Sequence, residues 1–415
     1  MWTTLMATAT LPIALLPARE IGATAWAPDV TATYGVHRHV GAWDLMLHGN
    51  AFVQFIYEPP PSVHRTGGPA TTQTTSVNWG MLMARRRAGA GRVGVELMLS
   101  LEPWTVPACG TLNYFQTGEM CAGDTIHDRQ HPHDLFMEIA AEYDRPFAAG
   151  MRWQIYGGVA GEPALGPPAY PHRLSSIDNP VAPITHHWLD STHISFGVVT
   201  GALFTDTWKL EASVFNGREP DDHRTDLDLG PLDSVSGRVS WLPTPRLALQ
   251  FSGGHLTDAE QQFAPYPRTS DARVTASAMY QRMTRAGWWA STAAYGLNGA
   301  HILLPGGIDA FRYSNAGIAE TTLMIAERHA VFGRLELVGK PAHDLHLDSD
   351  PLAVLPVFKM QAGYTRHFSA GPVPFGLGIS PTLSLVPPEL QARYYGRFAK
   401  GLDVFVVIRP PRHTM

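Results

Sequence analysis

Six histidines in two proline-rich segments are the residues with the clearest potential for chemistry. The first segment, 127–134, reads HDRQHPHD, and the second, 186–193, reads HHWLDSTH. Imidazole nitrogens are good ligands for divalent transition metals such as Zn and Cu. If the segments lie side by side, they predict a metal or ion site formed by His127, His131, His133, His186, His187 and His193.

The same two segments also allow a purely structural interpretation. Asp134 and Asp190 could orient metal-bound imidazoles from a second layer, but no spacing here matches an established metal motif. Dense histidine, aspartate and arginine could equally satisfy one another in a rigid, hydrogen-bonded loop. Both interpretations remain open from the sequence.

Evidence for an enzyme is limited to one residue pair. Ser191 and His193 are two residues apart, so on a strand they would share a face, as in outer-membrane hydrolases that use Ser and His on the outer wall. The chain contains no Gly-x-Ser-x-Gly, P-loop or zincin motif. We therefore predict no enzymatic activity and keep a hydrolase as the second alternative.

The elements that position these histidines have a period of two. In segment 234–241, Val235, Val239 and Trp241 alternate with serine and arginine. This period indicates a β-strand, because successive side chains leave opposite faces of the pleat. An apolar face that meets lipid and a polar face that meets water are typical of a transmembrane β-barrel.

The alternation recurs along the whole chain and predicts an all-β fold, a transmembrane antiparallel β-barrel of about 16 strands. In segment 75–85 we expect Val77, Trp79, Met81 and Met83 to face lipid. A soluble β-sandwich would not place so many charges on one face and so many aromatic residues on the other. The predicted strands are 43–57, 75–85, 92–102, 135–144, 151–159, 193–203, 207–215, 234–242, 246–256, 272–283, 287–297, 315–326, 329–339, 356–367, 375–385 and 401–409.

Short and long connections alternate between these strands. All long loops then fall on one rim, which predicts short periplasmic turns and long outer loops. We expect loops 103–134 and 160–192 to occlude part of the lumen. The predicted pore-lining residues are Asp44, His48, Glu96, Glu138, Arg152, Lys209, Glu211, Arg238, Arg334 and Glu336.

The composition excludes several other classes of protein. Charged residues make up 16% of the chain, and no apolar run is long enough for a membrane helix. A net charge of -5 gives no sign of a nucleic-acid partner. The two cysteines, Cys109 and Cys121, are close in sequence and predict a disulfide in an exported protein.

The chain divides into one large domain and short ends. Residues 1–19 contain an apolar stretch followed by a small residue and predict a signal peptide, although the basic start is missing. Residues 20–42 are expected to be a periplasmic N-terminal segment. Residues 43–409 form the barrel, and residues 410–415 form a C-terminal tail.

Several long strings resemble one group of mostly uncharacterised, porin-like bacterial outer-membrane β-barrel proteins. They include HDRQHPHDLFME at 127–138, GEPALGP at 161–167, HHWLDSTH at 186–193 and VFNGREPD at 214–221. The resemblance covers nearly all of the chain after residue 22 and implies the fold and a bacterial outer-membrane location. The chain departs from many outer-membrane proteins at its end, where VFVVIR at 404–409 precedes a six-residue tail instead of a terminal aromatic residue.

These observations predict an outer-membrane channel for small solutes or ions, partly occluded by its histidine-rich loops. The alternative is a metal-ion-binding outer-membrane protein linked to metal efflux or uptake. The expected partners are outer-membrane lipid and a small solute or ion, and the sequence leaves open whether copies form a homo-oligomer.

Overall fold

A closed antiparallel β-barrel dominates the computed structural model, which describes residues 19–62, 65–260, 269–304, 308–347, 350–369 and 374–412. The β-strands are β1 Glu20–Gly22, β2 Ala25–Trp26, β3 Gly35–Val40, β4 Trp43–Tyr57, β5 Thr72–Ala88, β6 Gly91–Leu99, β7 Thr111–Cys121, β8 Asp124–Gln130, β9 Phe136–Ala148, β10 Met151–Gly161, β11 Ser195–Phe204, β12 Trp208–Phe215, β13 Ser234–Thr244, β14 Leu247–Glu260, β15 Thr269–Thr284, β16 Gly287–Leu304, β17 Ile308–Ile325, β18 His329–Pro341, β19 Val354–Phe368, β20 Phe375–Leu385 and β21 Phe398–Ile408.

Helical structure is confined to single turns. The α-helical turns are α1 Glu102–Thr105 and α2 His186–Leu189, and the 3₁₀ turns are Tyr170–His172, Leu174–Ser176, Ser191–His193, His343–Leu345 and Pro388–Leu390. No helix within the described part of the chain is long and apolar enough to cross a membrane.

Sixteen long strands form the wall, and each corresponds to one of the predicted segments. The wall closes where β21 pairs with the second half of β4, from Leu402 opposite Tyr57 to Ile408 opposite Ala51. The short strand β3 pairs with the first half of β4. A closed barrel is suited to a bilayer, because lipid offers no hydrogen-bond partners for the backbone amides and carbonyls of an open sheet edge. The predicted fold class is confirmed.

Strand register separates an apolar outer face from a polar inner face. Leu210 lies opposite Val239 on the outside, whereas Glu211 lies opposite Arg238 on the inside. The outer side chains of Leu210 and Val239 are both 45% exposed, as expected for groups that meet lipid. Aromatic pairs lie near the short-turn rim, where a membrane barrel carries a girdle at the lipid–water boundary; they include Tyr143–Trp153 and Tyr280–Trp289.

The predicted orientation of segment 75–85 is wrong. Met81 and Met83 are buried at 0% and 1% exposure, and Leu82 between them faces outward. Register explains the reversal, because Met81 lies opposite the inward-facing His48, and directly paired residues share a face. Val77 and Trp79 share this inner face with Met81. The lumen here contains an apolar cluster rich in methionine.

Two long segments fold back inside the barrel from the long-loop rim. Residues 100–135 form α1 and the β7–β8 hairpin, in which Cys109 and Cys121 form the predicted disulfide. The second segment, 162–194, runs through the lumen. Wall contacts of the two segments include Lys340 Nζ to Thr117 Oγ1 at 3.1 Å, Asn179 Nδ2 to Gln361 Oε1 at 2.8 Å and Thr185 Oγ1 to Glu336 Oε2 at 3.0 Å.

The N-terminal residues enter the barrel at the opposite, short-turn rim. Glu20 accepts a hydrogen bond from Lys209 Nζ at 3.2 Å, and Gln281 Nε2 donates to Val30 O at 2.9 Å. Segment 20–42, predicted to be periplasmic, therefore contributes an inner plug and the strand β3. The predicted signal peptide falls outside the described residues except for Arg19, and residues 413–415 of the predicted tail also lie outside them.

One part of the wall lacks a neighbouring strand. β5 pairs with β6 only from Gly80 to Ala88, so residues 72–79 present an edge. The turn α1 covers this edge: Asn78 N donates to Glu102 Oε1 at 3.1 Å, and Thr105 Oγ1 donates to Ser76 O at 2.7 Å. Side chains thus satisfy backbone groups that would otherwise face lipid.

Leu210→Arg tests the assignment of the lipid face. A charge at this mid-strand outer position should lower the free energy of unfolding in phospholipid vesicles by about 2–4 kcal/mol. Leu303→Arg is the matched control, because Leu303 lies near the far end of β16, level with the outward ion pair between His301 and Asp309. The control should cost about 0–1 kcal/mol. Equal losses in denaturant titrations would contradict the assignment.

Candidate functional site inside the barrel

Five of the six predicted histidines converge in the lumen. Their ring centroids are 5.1 Å apart for His186 and His193, 5.3 Å for His133 and His193, 5.4 Å for His186 and His187, and 6.1 Å for His131 and His187. We call these five residues the histidine cluster. The sixth, His127, lies elsewhere: its ring contacts His346 at 5.2 Å.

Short, rigid elements hold the cluster together. The turn α2 begins with His186 and His187, and the Ser191–His193 turn follows after one residue. His131 and His133 flank Pro132 in the connection between β8 and β9, where the proline ring restricts the backbone. The first string therefore comprises the end of β8 and an irregular connection to β9, and the second comprises two turns before β11.

Asp190 is the acceptor that organises one side of the cluster. Its carboxylate contacts His186 Nδ1 at 2.8 Å, accepts from Tyr170 N at 2.9 Å and pairs with Arg173 Nη1 at 2.5 Å. Burial opposes its charge, but Arg173 and His186 outweigh that effect and hold the pKa of Asp190 below its usual range. Asp190 thus remains a carboxylate. The other suggested partner, Asp134, lies instead 3.5 Å from Arg224.

Glu102 organises the other side. Its carboxylate accepts from the backbone nitrogen of His133 at 2.9 Å and contacts His133 Nδ1 at 2.9 Å. Burial disfavours the imidazolium form, but the charge of Glu102 and its hydrogen bond outweigh burial and raise the pKa of His133. Glu102 Oε1 also accepts a hydrogen bond from Asn78 N, so Glu102 connects the histidine cluster to the unpaired edge of β5.

The other four imidazoles are held neutral. Burial disfavours the charged form and is the main reason that the pKa values of His131, His186 and His193 are lowered. For the same reason, the pKa of His187 is lowered to about 4. Neutral imidazole presents a nitrogen lone pair. Nε2 of His187 and Nε2 of His193 are buried and have no hydrogen-bond partner among the described residues.

Three compact sets of metal-ligating atoms occur among the described residues, each with all atoms within 4.8 Å of one another. One contains His187, and the other two lie in the exposed loop after β12. The sets are His187–Glu219–Glu260, Asp221–Asp222–His223 and Asp221–Asp226–Asp228. His187 therefore belongs both to the histidine cluster and to a tighter group with two glutamates.

The predicted pore-lining residues lie on the inner face of the wall, where most are in ion pairs. Arg238 Nε contacts Glu211 Oε2 at 2.8 Å, and Arg334 Nε contacts Glu320 Oε2 at 3.1 Å. Positions on this face include Asp44, His48, Glu96, Glu138, Arg152, Lys209, Glu211, Arg238, Arg334 and Glu336. Whether they line an open pore stays a prediction.

The expectation that Ser191 and His193 share a strand face is wrong. Both residues lie in a 3₁₀ turn before β11, and the turn is inside the barrel rather than on its outer wall. Ser191 Oγ accepts from Arg273 Nη1 at 2.9 Å, whereas His193 Nδ1 lies 2.8 Å from Asp190 O. The two side chains therefore have separate partners.

Glu102, Arg173 and Glu320 are important for the site, but the sequence interpretation singled out none of them as site residues. Arg173 Nε donates to Glu320 Oε1 at 2.6 Å across 147 positions of sequence. No local pattern marks such a pair, because its partners meet only when the loop lies inside the closed barrel. The one available signal was that Arg173 is the single arginine of the proline-rich loop 160–192.

Glu102→Gln should make stability depend differently on pH. The pKa of His133 is higher in the folded protein than in the unfolded chain, where it is about 6.5. The charged form of His133 therefore contributes stability that is fully present below the unfolded pKa and is lost as pH rises through the folded pKa. The deficit in melting temperature of E102Q relative to wild type should therefore be larger at pH 6 than at pH 9. The exposed E389Q is the control. A deficit that stays constant with pH would show that Glu102 does not stabilise a charged His133.

Comparisons with known proteins identify the fold. No protein-family model matches the chain, and no curated protein matches its sequence. Among solved structures, it is similar to the outer membrane channel DcaP of Acinetobacter baumannii (TM-score 0.54, 8% identity, 91% of this chain and 100% of that one). It is also similar to Salmonella typhi OmpF in complex with daunomycin (TM-score 0.53, 10%, 90% and 100%) and to a loop-deletion mutant of OmpT, an outer membrane protein of Vibrio cholerae (TM-score 0.51, 8%, 89% and 99%). The chain has the fold of outer-membrane β-barrels.

Proposed function

We propose that this protein is a bacterial outer-membrane, porin-like channel for small solutes or ions, and that the inner segments 100–135 and 162–194 occlude it. The observation that carries the proposal is a lumen filled from both rims within a wall that has the porin fold. Sixteen strands enclose an aqueous channel unless loops fill it. The channel is therefore expected to conduct weakly until the inner segments move.

The charges of the lumen favour hydrated cargo over apolar cargo. Arg238 and Lys209 share Glu211, with Lys209 Nζ 3.3 Å from its carboxylate. Three cavities between the wall and the inner segments, within the described residues, are small, each about 20–30 Å³. Such spaces hold single waters or ions, so larger solutes require displacement of a loop. No catalytic role is proposed, and the number of copies that assemble stays a prediction.

Removal of the β7–β8 hairpin tests the occlusion. Replacing residues 109–130 with a short Gly-Ser linker removes both cysteines and empties the outer half of the lumen. We expect a severalfold higher single-channel conductance in planar bilayers than for wild type. The control replaces only residues 229–232 with the linker, because these four residues are all exposed.

The outcomes separate the parts of the proposal. Equal conductance in wild type and the hairpin deletion would reject occlusion. No conductance in any of the three proteins, with the barrel folded as judged by heat-modifiable mobility on gels, would reject the channel itself.

A second candidate function is metal-ion binding linked to efflux or uptake, and the convergence of five imidazoles favours it. Wild type should bind Zn²⁺ or Cu²⁺ saturably in calorimetry, and the His131→Gln/His133→Gln variant should bind more weakly. Because burial lowers the pKa values of His131, His187 and His193, binding should persist below pH 6.5, where free imidazole protonates. Loss of binding at pH 6.5 itself, or no saturable binding below about 1 mM, would leave the cluster a structural role.

A further inference from the structure

A separate polar cavity lies beside the histidine cluster. It measures about 30 Å³ and lies between the β7 strand, α2, and the ends of β14 and β15 that face the long-loop rim. His187, Glu219, Glu260 and Asp271 lie on its wall. A space of this size accommodates a water or a single ion.

Three ligand atoms in this cavity have the spacing of a metal site. One atom from each of His187, Glu219 and Glu260 lies within 4.8 Å of the other two. Nδ1 of His187 is 3.1 Å from Glu219 Oε1. Zinc binds imidazole nitrogen and carboxylate oxygen at about 2.0–2.2 Å, so ligands of one ion lie roughly 3–4 Å apart. Small side-chain rotations would bring the three groups to that distance.

A buried polar atom points independently to a missing ligand. Oδ1 of Asp271 has no hydrogen-bond partner among the described residues, and Asp271 is only 1% exposed. Burying a polar atom without a partner is costly, and native structures rarely leave one unexplained. A cation in the cavity would give this carboxylate oxygen a partner.

More acidic than basic side chains line the cavity. Five carboxylates line it, whereas Arg312 is the only lysine or arginine among the described lining residues; the carboxylates belong to Glu119, Glu219, Glu260, Asp271 and Asp344. Gly118 keeps the hairpin close to the imidazole: a Cβ there would lie 2.3 Å from His187 Nε2, and its φ of +113° is strained for other residues. The backbone thus packs tightly against the ring while the cavity stays open.

We propose that this cavity binds one divalent transition-metal ion of the Zn²⁺ class through His187, Glu219 and Glu260, with Asp271 as a further oxygen ligand. The mixed nitrogen and oxygen donors favour Zn²⁺ over Mg²⁺, which prefers oxygen alone. The inference rests on the second candidate function, metal binding, but places the ion beside the histidine cluster instead of within it, and it does not require an open channel. It differs from binding by the histidine cluster, because carboxylates supply most of its ligands.

Calorimetry on the full chain folded in detergent tests the site, with ZnCl₂ as the probe and MgCl₂ for comparison. Wild type should bind one Zn²⁺ tightly, and Glu260→Gln should weaken that binding at least tenfold. The matched control is Asp221→Asn, which disrupts both exposed acidic groups and should leave tight binding intact. The H131Q/H133Q variant should also leave it intact, so failure of the histidine-cluster proposal and failure of this site are distinguishable.

The opposite pattern would overturn the proposal. If D221N or H131Q/H133Q abolishes tight binding and E260Q does not, the ion is held elsewhere. X-ray absorption on zinc-loaded wild type covers the case in which E260Q does not fold. One imidazole with oxygen neighbours is expected, and a shell of two or more imidazoles would reject the site.

Discussion

The interior of this barrel depends on one buried guanidinium. Arg173 is 1% exposed and lies between two carboxylates, with Nη1 2.5 Å from Asp190 and Nε 2.6 Å from Glu320. A charge in such a place is tolerated only when opposite charges pair with it closely. Asp190 belongs to the inner segment and Glu320 to the wall strand β17. The ion pair between Arg173 and Glu320 therefore holds the inner segment against the wall at the level of Glu320.

The partners of Arg173 extend this constraint to the rest of the lumen. Glu320 also pairs with Arg334, which donates to Val181 O at 2.6 Å and so holds a later part of the same segment. Asp190 orients His186 and the backbone of Tyr170. The position of His186 is therefore a consequence of charge compensation around Arg173, whereas His133 is held by Glu102.

The strands could be predicted from the sequence because lipid favours apolar side chains and the lumen favours polar side chains, and the two alternate along each strand. The ends of β4 and β20 coincide with the predicted segments 43–57 and 375–385. The rule failed at 75–85, where Met81 packs against apolar neighbours inside the barrel. There, hydrophobicity alone does not distinguish lipid from an apolar patch of lumen. The coarse location of the site in two histidine-rich loops also followed from the sequence.

The detailed geometry of the site could not be predicted, because its partners are distant along the chain. Glu102 and His133 are 31 positions apart, and Arg173 and Glu320 are 147 apart. No helix or strand period connects such residues. The strand expected to begin at 193 begins at Ser195, so Ser191 and His193 both lie in the turn before it, where they have different partners.

The seam between β21 and β4 has a consequence for how the chain reaches its final form. The first and last wall strands can pair only after the chain is complete through β21. Contacts of long sequence separation slow folding, since loop entropy is lost before they form. A wall without this pairing would be an open sheet with two unpaired edges, and such edges are templates for association with other chains. The seam therefore protects the protein against edge-to-edge association.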